Sequence, residues 1–170
     1  MEPALRSRLP GRQNALLIAA AAIGVNLIGA VGVPFTAPES AWFAALELPS
    51  YYPPNWAFGV VWPILYALIG AGAALVSLAG RAGVAAPGRV RTALGLFAVQ
   101  LVVNVAWSPV FWGLERPDLG LVVLGILLSL VVATMAAFAR VDRRAALLLV
   151  PYFAWICFAT ALNYGIWALN

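Results

Sequence analysis

The chain has 170 residues, 64% of them apolar and 9% charged, with a net charge of +4. A soluble globular domain runs near half apolar and a quarter charged, so this chain lacks the polar coat that water demands, and lipid is its expected solvent. It has no histidine and one cysteine, Cys157. This excludes histidine-ligated zinc or haem, histidine acid–base chemistry and any intrachain disulfide; no metal site and no resident cofactor are expected.

Spans of about 20 residues each leave room for five helices and short loops in a single domain, 1–170, and the fold class is all-α, an integral membrane bundle of five transmembrane helices. The first apolar run, 15–33, follows Arg6, Arg8 and Arg12. It exceeds the core of a signal peptide and no small-residue cleavage site precedes the prolines, so it reads as a retained helix. Ala22, Asn26, Gly29 and Val33 share one of its faces. That mostly small face serves close helix packing or leaves room for a ligand.

Loop one, 34–55, holds Pro34, Pro38, Pro49, Pro53 and Pro54, a density that forbids a continuous helix. Trp42, Phe43, Tyr51 and Tyr52 suit the bilayer interface. A loop of this length in so small a protein is usually functional.

The second helix is expected over 57–79, with Phe58, Trp62 and Tyr66 at i, i+4 and i+8, and Gly70 serving packing. Gly80 to Arg91 reads as a polar connection broken by Pro87 and Gly88. The third helix, 92–113, places Gln100, Asn104, Trp107 and Phe111 on one face. An Asn amide facing lipid would leave its hydrogen bonds unmet, so this face should point inward. Helix–helix glue accounts for Gln100 as well as a ligand does; Asn104, beside Trp107, points to a pocket. A short turn, 114–118, makes the third and fourth helices antiparallel neighbours. The fourth helix spans 119–139 and the fifth 145–169, on which Tyr152, Trp155 and Ala159 share a face. Aromatic stripes at helical spacing are most often core or interfacial anchors, which suits Trp112 and Trp167. Trp62, Trp107 and Trp155 share faces with polar or small neighbours, and their indoles are placed to stack on a flat ligand.

The basic residues are all arginine and do not form one stripe, so no nucleic acid partner is expected. With five spans, nine arginines (Arg6, Arg8, Arg12, Arg81, Arg89, Arg91, Arg140, Arg143 and Arg144) fall on one side, and Arg116 alone on the other with Glu39, Glu47, Glu115 and Asp118. The positive-inside rule then makes the N-terminus cytoplasmic and puts loop one and the C-terminus outside. An Ala-, Gly-, Val- and Arg-rich composition points to a GC-rich bacterial genome and a cell membrane. No Asp, Glu, Lys or Arg sits within the five runs, which argues against an ion-coupled pump. Nucleophile–histidine pairs and phosphate-binding glycine loops are absent, leaving only tryptophan redox chemistry.

Three stretches resemble the TspO/MBR family of tryptophan-rich sensory and translocator proteins. Residues 98–113, with Gln100, Asn104, Trp107, Ser108, Pro109, Phe111, Trp112 and Gly113, resemble its third-helix signature. Pro53, Pro54, Asn55, Trp56, Ala57 and Phe58, followed by Trp62, Leu65 and Tyr66, are similar to its first loop and second helix. Residues 150–155 and 159–164, with Pro151, Tyr152, Trp155, Ala159, Asn163 and Tyr164, are similar to its fifth helix. The resemblance runs in order from about Trp42 to the end. It implies a five-helix bundle, often dimeric, that binds porphyrins, sterols and isoquinoline or benzodiazepine ligands beneath loop one. By matching position, Trp62 and Asn104 would be ligand contacts, and Trp42 and Trp107 would line or cover the pocket. Trp62 and Trp155 would be the pair tied to light-dependent porphyrin breakdown. The chain departs from the family pattern at Leu48-Pro49 and Tyr51, where Lys-Pro and a tryptophan are usual. No basic residue follows Tyr164, so the sterol motif is absent.

The expected ligand is a porphyrin, metal-free since no histidine is present, or another flat apolar molecule. Its binding residues would be Trp42, Trp62, Asn104, Trp107, Trp155, Gln100, Asn26, Phe58, Tyr66 and Ala159. Sensing, sequestration or transfer is the first expectation; light-dependent porphyrin degradation by Trp62 and Trp155 and passive transport are the alternatives. A homodimer is expected, with Gly95 and Val99 as a candidate seam.

Overall fold

The computed structural model describes residues 11–170; Arg6 and Arg8, which contribute to the charge asymmetry, lie outside them. α1 (Arg12–Gly29) runs on as a 3-10 segment, Ala30–Phe35, with Pro34 inside it. α2 (Ala41–Ala44) is a single turn in loop one, capped by Ser40 Oγ, which accepts from Phe43 N at 3.2 Å. α3 (Asn55–Arg81) contains Pro63. α4 (Pro87–Ser108) widens into a π segment, Pro109–Gly113. α5 is Pro117–Ala139, and the last span is divided into α6 (Arg143–Leu147) and α7 (Val150–Leu169). Among the described residues, five helical spans are long and apolar enough to cross a membrane, and no strand is present.

Local chemistry explains where these elements start and break. Pro87 and Gly88, read from sequence as breakers, instead open α4. Proline at the first helical turn loses no bond, because that N–H has no intrahelical partner. Pro117 does the same for α5. Within the last span Pro151 cannot donate to the Leu147 carbonyl four residues earlier, and the helix breaks there into α6 and α7. Asp142 caps α6, accepting from Arg144 N at 2.8 Å.

α1 packs along α3, α4 along α5, and α5 along α7 and α6. The core is a continuous apolar column in which Ile69, Val76, Leu127, Val131, Phe138, Leu149 and Ile156 are fully buried. Close backbone approach seats α1 on α3, and α6 on α3. A Cβ at Gly70 would lie 2.7 Å from the Ala21 carbonyl oxygen, and one at Gly72 3.0 Å from that of Ala145. These glycines serve packing, as small residues do where helices meet in a bilayer. The loop-one side of the bundle is looser, and there the column gives way to a cavity.

Candidate functional site

The cavity has a volume of about 540 Å³, within the roughly 300–1,000 Å³ of small-molecule sites. It occupies the half of the bundle next to loop one. Asn26, Gly29 and Gly32 form one wall, and Phe58, Trp62 and Tyr66 of α3 another. Asn104, Trp107, Ser108 and Phe111 face them from α4 and its π segment. Trp155, Ala159 and Asn163 come from α7, Leu124 and Leu127 from α5, and Pro38, Phe43 and Tyr52 cover it from loop one. Glycines set the width of the α1 wall: any Cβ at Gly29 would overlap the Tyr66 ring, and one at Gly32 would lie 3.0 Å from Ser108 Oγ.

Aromatic rings define its shape. Trp62 stacks on Tyr66 with centroids 5.3 Å apart and meets Trp155 edge-on at 6.4 Å. Phe58 meets Trp155 edge-on at 5.9 Å. On the opposite side Trp107 stacks on Phe111 at 4.8 Å, and Phe111 meets Trp112 edge-on at 5.2 Å. Such offset and T-shaped pairs hold each ring plane in place.

The polar groups are few and specific. Tyr66 Oη donates to Asn104 Oδ1 at 2.7 Å, tying α3 to α4. Trp107 Nε1 donates to Asn163 Oδ1 at 3.1 Å, and Asn163 Nδ2 donates to the Pro117 carbonyl at 2.8 Å, joining α4, α5 and α7. Asn26 Nδ2 donates to the carbonyls of Ala22 and Pro63, at 3.0 and 3.3 Å. Among the described residues, Trp155 Nε1 is buried with no partner. No carboxylate or guanidinium lines the cavity among the described residues. In loop one, burial raises the Tyr52 pKa above its ordinary value.

Asn26, Phe58, Trp62, Tyr66, Asn104, Trp107, Trp155 and Ala159, all singled out from sequence, come together around this one space. Trp42 and Gln100 do not line it. Trp42 packs in loop one against Phe43, Phe111 and Trp112. Gln100 lies one turn deeper and is fully buried; its Oε1 accepts from Tyr152 Oη at 2.9 Å, while its Nε2 has no partner among the described residues. The inward face Gln100, Asn104, Trp107 and Phe111 is as expected: three of the four are buried and Trp107 is half-buried. Asn163 was not singled out, although it lies eight residues after Trp155 and four after Ala159 on the same helical face. Tyr52, Phe43 and Ser108 were also missed as wall residues.

The TspO/MBR family model matches residues 16–168. The chain belongs to the TspO/MBR family. It is 41% identical over 157 residues to the tryptophan-rich protein TspO of Chlorobaculum tepidum, covering 91% of this chain and 97% of that one. It is 40% identical over 131 residues to the human translocator protein, covering 76% of this chain and 75% of that one. A similar match joins it to the tryptophan-rich sensory protein of Cereibacter sphaeroides, 34% identical over 153 residues, 88% of this chain and 92% of that one. With five apolar spans and this family membership, the chain is a multi-pass membrane protein, and the bilayer is its solvent.

Proposed function

We propose that this TspO/MBR protein binds a porphyrin, or another flat apolar molecule of that size, in the cavity beneath loop one, for sensing, sequestration or transfer. One observation carries the reading: a cavity of about 540 Å³ has walls of indole and phenol rings and a few fixed polar groups, with the Trp155 indole N–H buried and unpaired. A buried donor without a partner costs about 1–3 kcal/mol, which an acceptor on a ligand would recover. The Asn104 amide, held by Tyr66, is a second orienting group. Among the described residues no charged side chain lines the walls, which fits passive binding and release with no ion gradient. The protein sits with its N-terminus in the cytoplasm and loop one outside, and works as a homodimer.

The test is quenching of tryptophan fluorescence in the purified protein by protoporphyrin IX, in the dark, beside Asn104→Ala and Trp62→Phe. Saturable quenching, weakened in both variants, is expected. Non-saturating quenching, equal in all three proteins, would reduce the signal to partition into detergent and end the assignment.

The edge-on contact of Trp62 with Trp155 at the cavity wall favours a second reading, light-dependent porphyrin breakdown with dioxygen as the oxidant. Under illumination, Trp155→Phe should then lose turnover while still binding in the dark. Equal bleaching with and without protein would remove this reading.

A further inference from the structure

Loop one is fastened to the far end of the chain. Glu47 N donates to Asn170 Oδ1 at 2.9 Å, and Asn170 Nδ2 donates back to the Glu47 carbonyl at 3.0 Å. The same nitrogen donates to the Ile166 carbonyl at 2.8 Å, which braces the amide against the last turn of α7. One turn earlier on that helix, Tyr51 Oη donates to the Ala161 carbonyl at 3.0 Å. Between these points lies Gly165. A Cβ there would sit 2.6 Å from Tyr51 Oη and 3.1 Å from the Pro49 ring, so only glycine lets the loop lie this close to the helix.

The clasped residues are therefore 47–51, and the next one, Tyr52, covers the cavity and packs on Phe58 with centroids 5.8 Å apart. Upstream, loop one is held differently. Phe43 is buried against Trp112, with centroids 4.6 Å apart, in a cluster with Phe111 and Ile166. Freeing that part would expose several large rings to water. Freeing the clasp exchanges solvent-exposed hydrogen bonds for bonds to water, at small net cost. The clasp is the weaker attachment and lies next to the Tyr52 cover.

We propose that the clasp of Asn170 and Gly165 on residues 47–51 is the release point of the cavity's cover, so that its strength sets how fast ligand enters and leaves. Residues 47–52 lift from α7 with Pro53 and Pro54 as the stiff end of the flap, and Tyr52 leaves Phe58 as they do so. This rests on the cavity being the ligand site. The clasp belongs to the closed state of both the empty and the filled protein, so weakening it speeds both directions and leaves affinity nearly untouched.

Stopped-flow quenching by protoporphyrin IX measures the two rates, and hydrogen exchange of the loop amides in the ligand-free protein measures the clasp itself. Asn170→Ala removes both bonds to Glu47 and should raise association and dissociation rates together by about fivefold, the worth of two exposed hydrogen bonds at the low end of their net range, with Kd changed less than about twofold. Gly165→Ala, which pushes Tyr51 away, and Tyr51→Phe should act in the same direction. In all three, amides of residues 46–52 should exchange faster than in the unaltered protein. Unchanged amide exchange would overturn the clasp. Faster amide exchange with unchanged ligand rates would overturn its role as the release point. If the unaltered protein shows no saturable quenching, the porphyrin reading fails and the release role falls with it, while amide exchange still decides the clasp.

Discussion

Removing the bond between Tyr66 and Asn104 tests whether the polar floor of the cavity is one unit. The two side chains meet at 2.7 Å, from α3 and α4, and Asn104 is 5% exposed. Asn104→Ala leaves the Tyr66 hydroxyl facing apolar surroundings, and Tyr66→Phe leaves the Asn104 carbonyl without its donor. Either single change should destabilise by about 1–3 kcal/mol, the cost of a buried group left unpaired. The double variant removes both polar partners and should fall well short of the sum. Coupling energies between polar groups in membrane bundles average about 0.6 kcal/mol and reach about 1.7; the short distance and burial of this pair place it in the upper half of that range. The assay is a double-mutant cycle on thermal or denaturant unfolding in detergent, with protoporphyrin IX quenching measured on the same four proteins. Additive single losses, within about 0.3 kcal/mol, would mean that the two groups do not act on each other, and the bond could not be what orients Asn104.

Two further outcomes follow from the packing and from loop one. Gly70→Val should destabilise by about 1–3 kcal/mol, since its Cβ meets the Ala21 backbone, which cannot turn aside as a side chain can; a melting temperature equal to that of the unaltered protein would contradict the close α1–α3 contact. Burial raises the Tyr52 pKa above its ordinary value of 10.0, so its contribution to stability is complete below pH 10 and is lost as pH climbs through the raised value. Tyr52→Phe should flatten that alkaline loss, measured as unfolding midpoint against pH, and an unchanged profile would mean that Tyr52 is not buried in the folded protein.

The sequence made the spans legible because lipid leaves little choice: a run of about 20 apolar residues is a helix or it is not in the membrane. The faces were legible for the same reason, since Asn104 and Trp107 have nowhere to turn but inward. Other features were not, and each has a cause. Spacing along one helix gives direction but not depth, so Gln100 was grouped with Asn104 although Tyr152 takes it up one turn below the cavity. Trp42 lies in a proline-rich loop, where no periodicity fixes its direction, and there Phe43 rather than Trp42 turns to the cavity. Asn163 stood in the fifth-helix motif without a role, because its partner, Trp107, is on another helix and no spacing within α7 reveals it. The clasp between Glu47 and Asn170 joins residues 123 positions apart through one backbone, and no local pattern announces such a pairing.

Most of the irregular backbone of the bundle lies together; the break between α6 and α7, which does not line the cavity, is the exception. The 3-10 turn at Ala30–Phe35, Pro63 within α3 and the π segment at Pro109–Gly113 all border the cavity, whereas α5, regular throughout, gives it only Leu124 and Leu127. At membrane depth a helix tolerates a missing bond only where protein or a cavity takes up the freed group. Pro63 has no N–H for the carbonyl of Gly59, and both residues line the cavity. Restoring that donor with Pro63→Ala should therefore raise stability, by about 1 kcal/mol rather than the roughly 3 kcal/mol of a proline in a helix interior, since the surroundings already compensate in part. The same change redraws the α3 wall next to Trp62, so protoporphyrin IX should bind more weakly even as the melting temperature rises. If stability and binding rise together, the proline is an ordinary defect of the helix, and the coincidence of irregular backbone with the cavity carries no functional meaning.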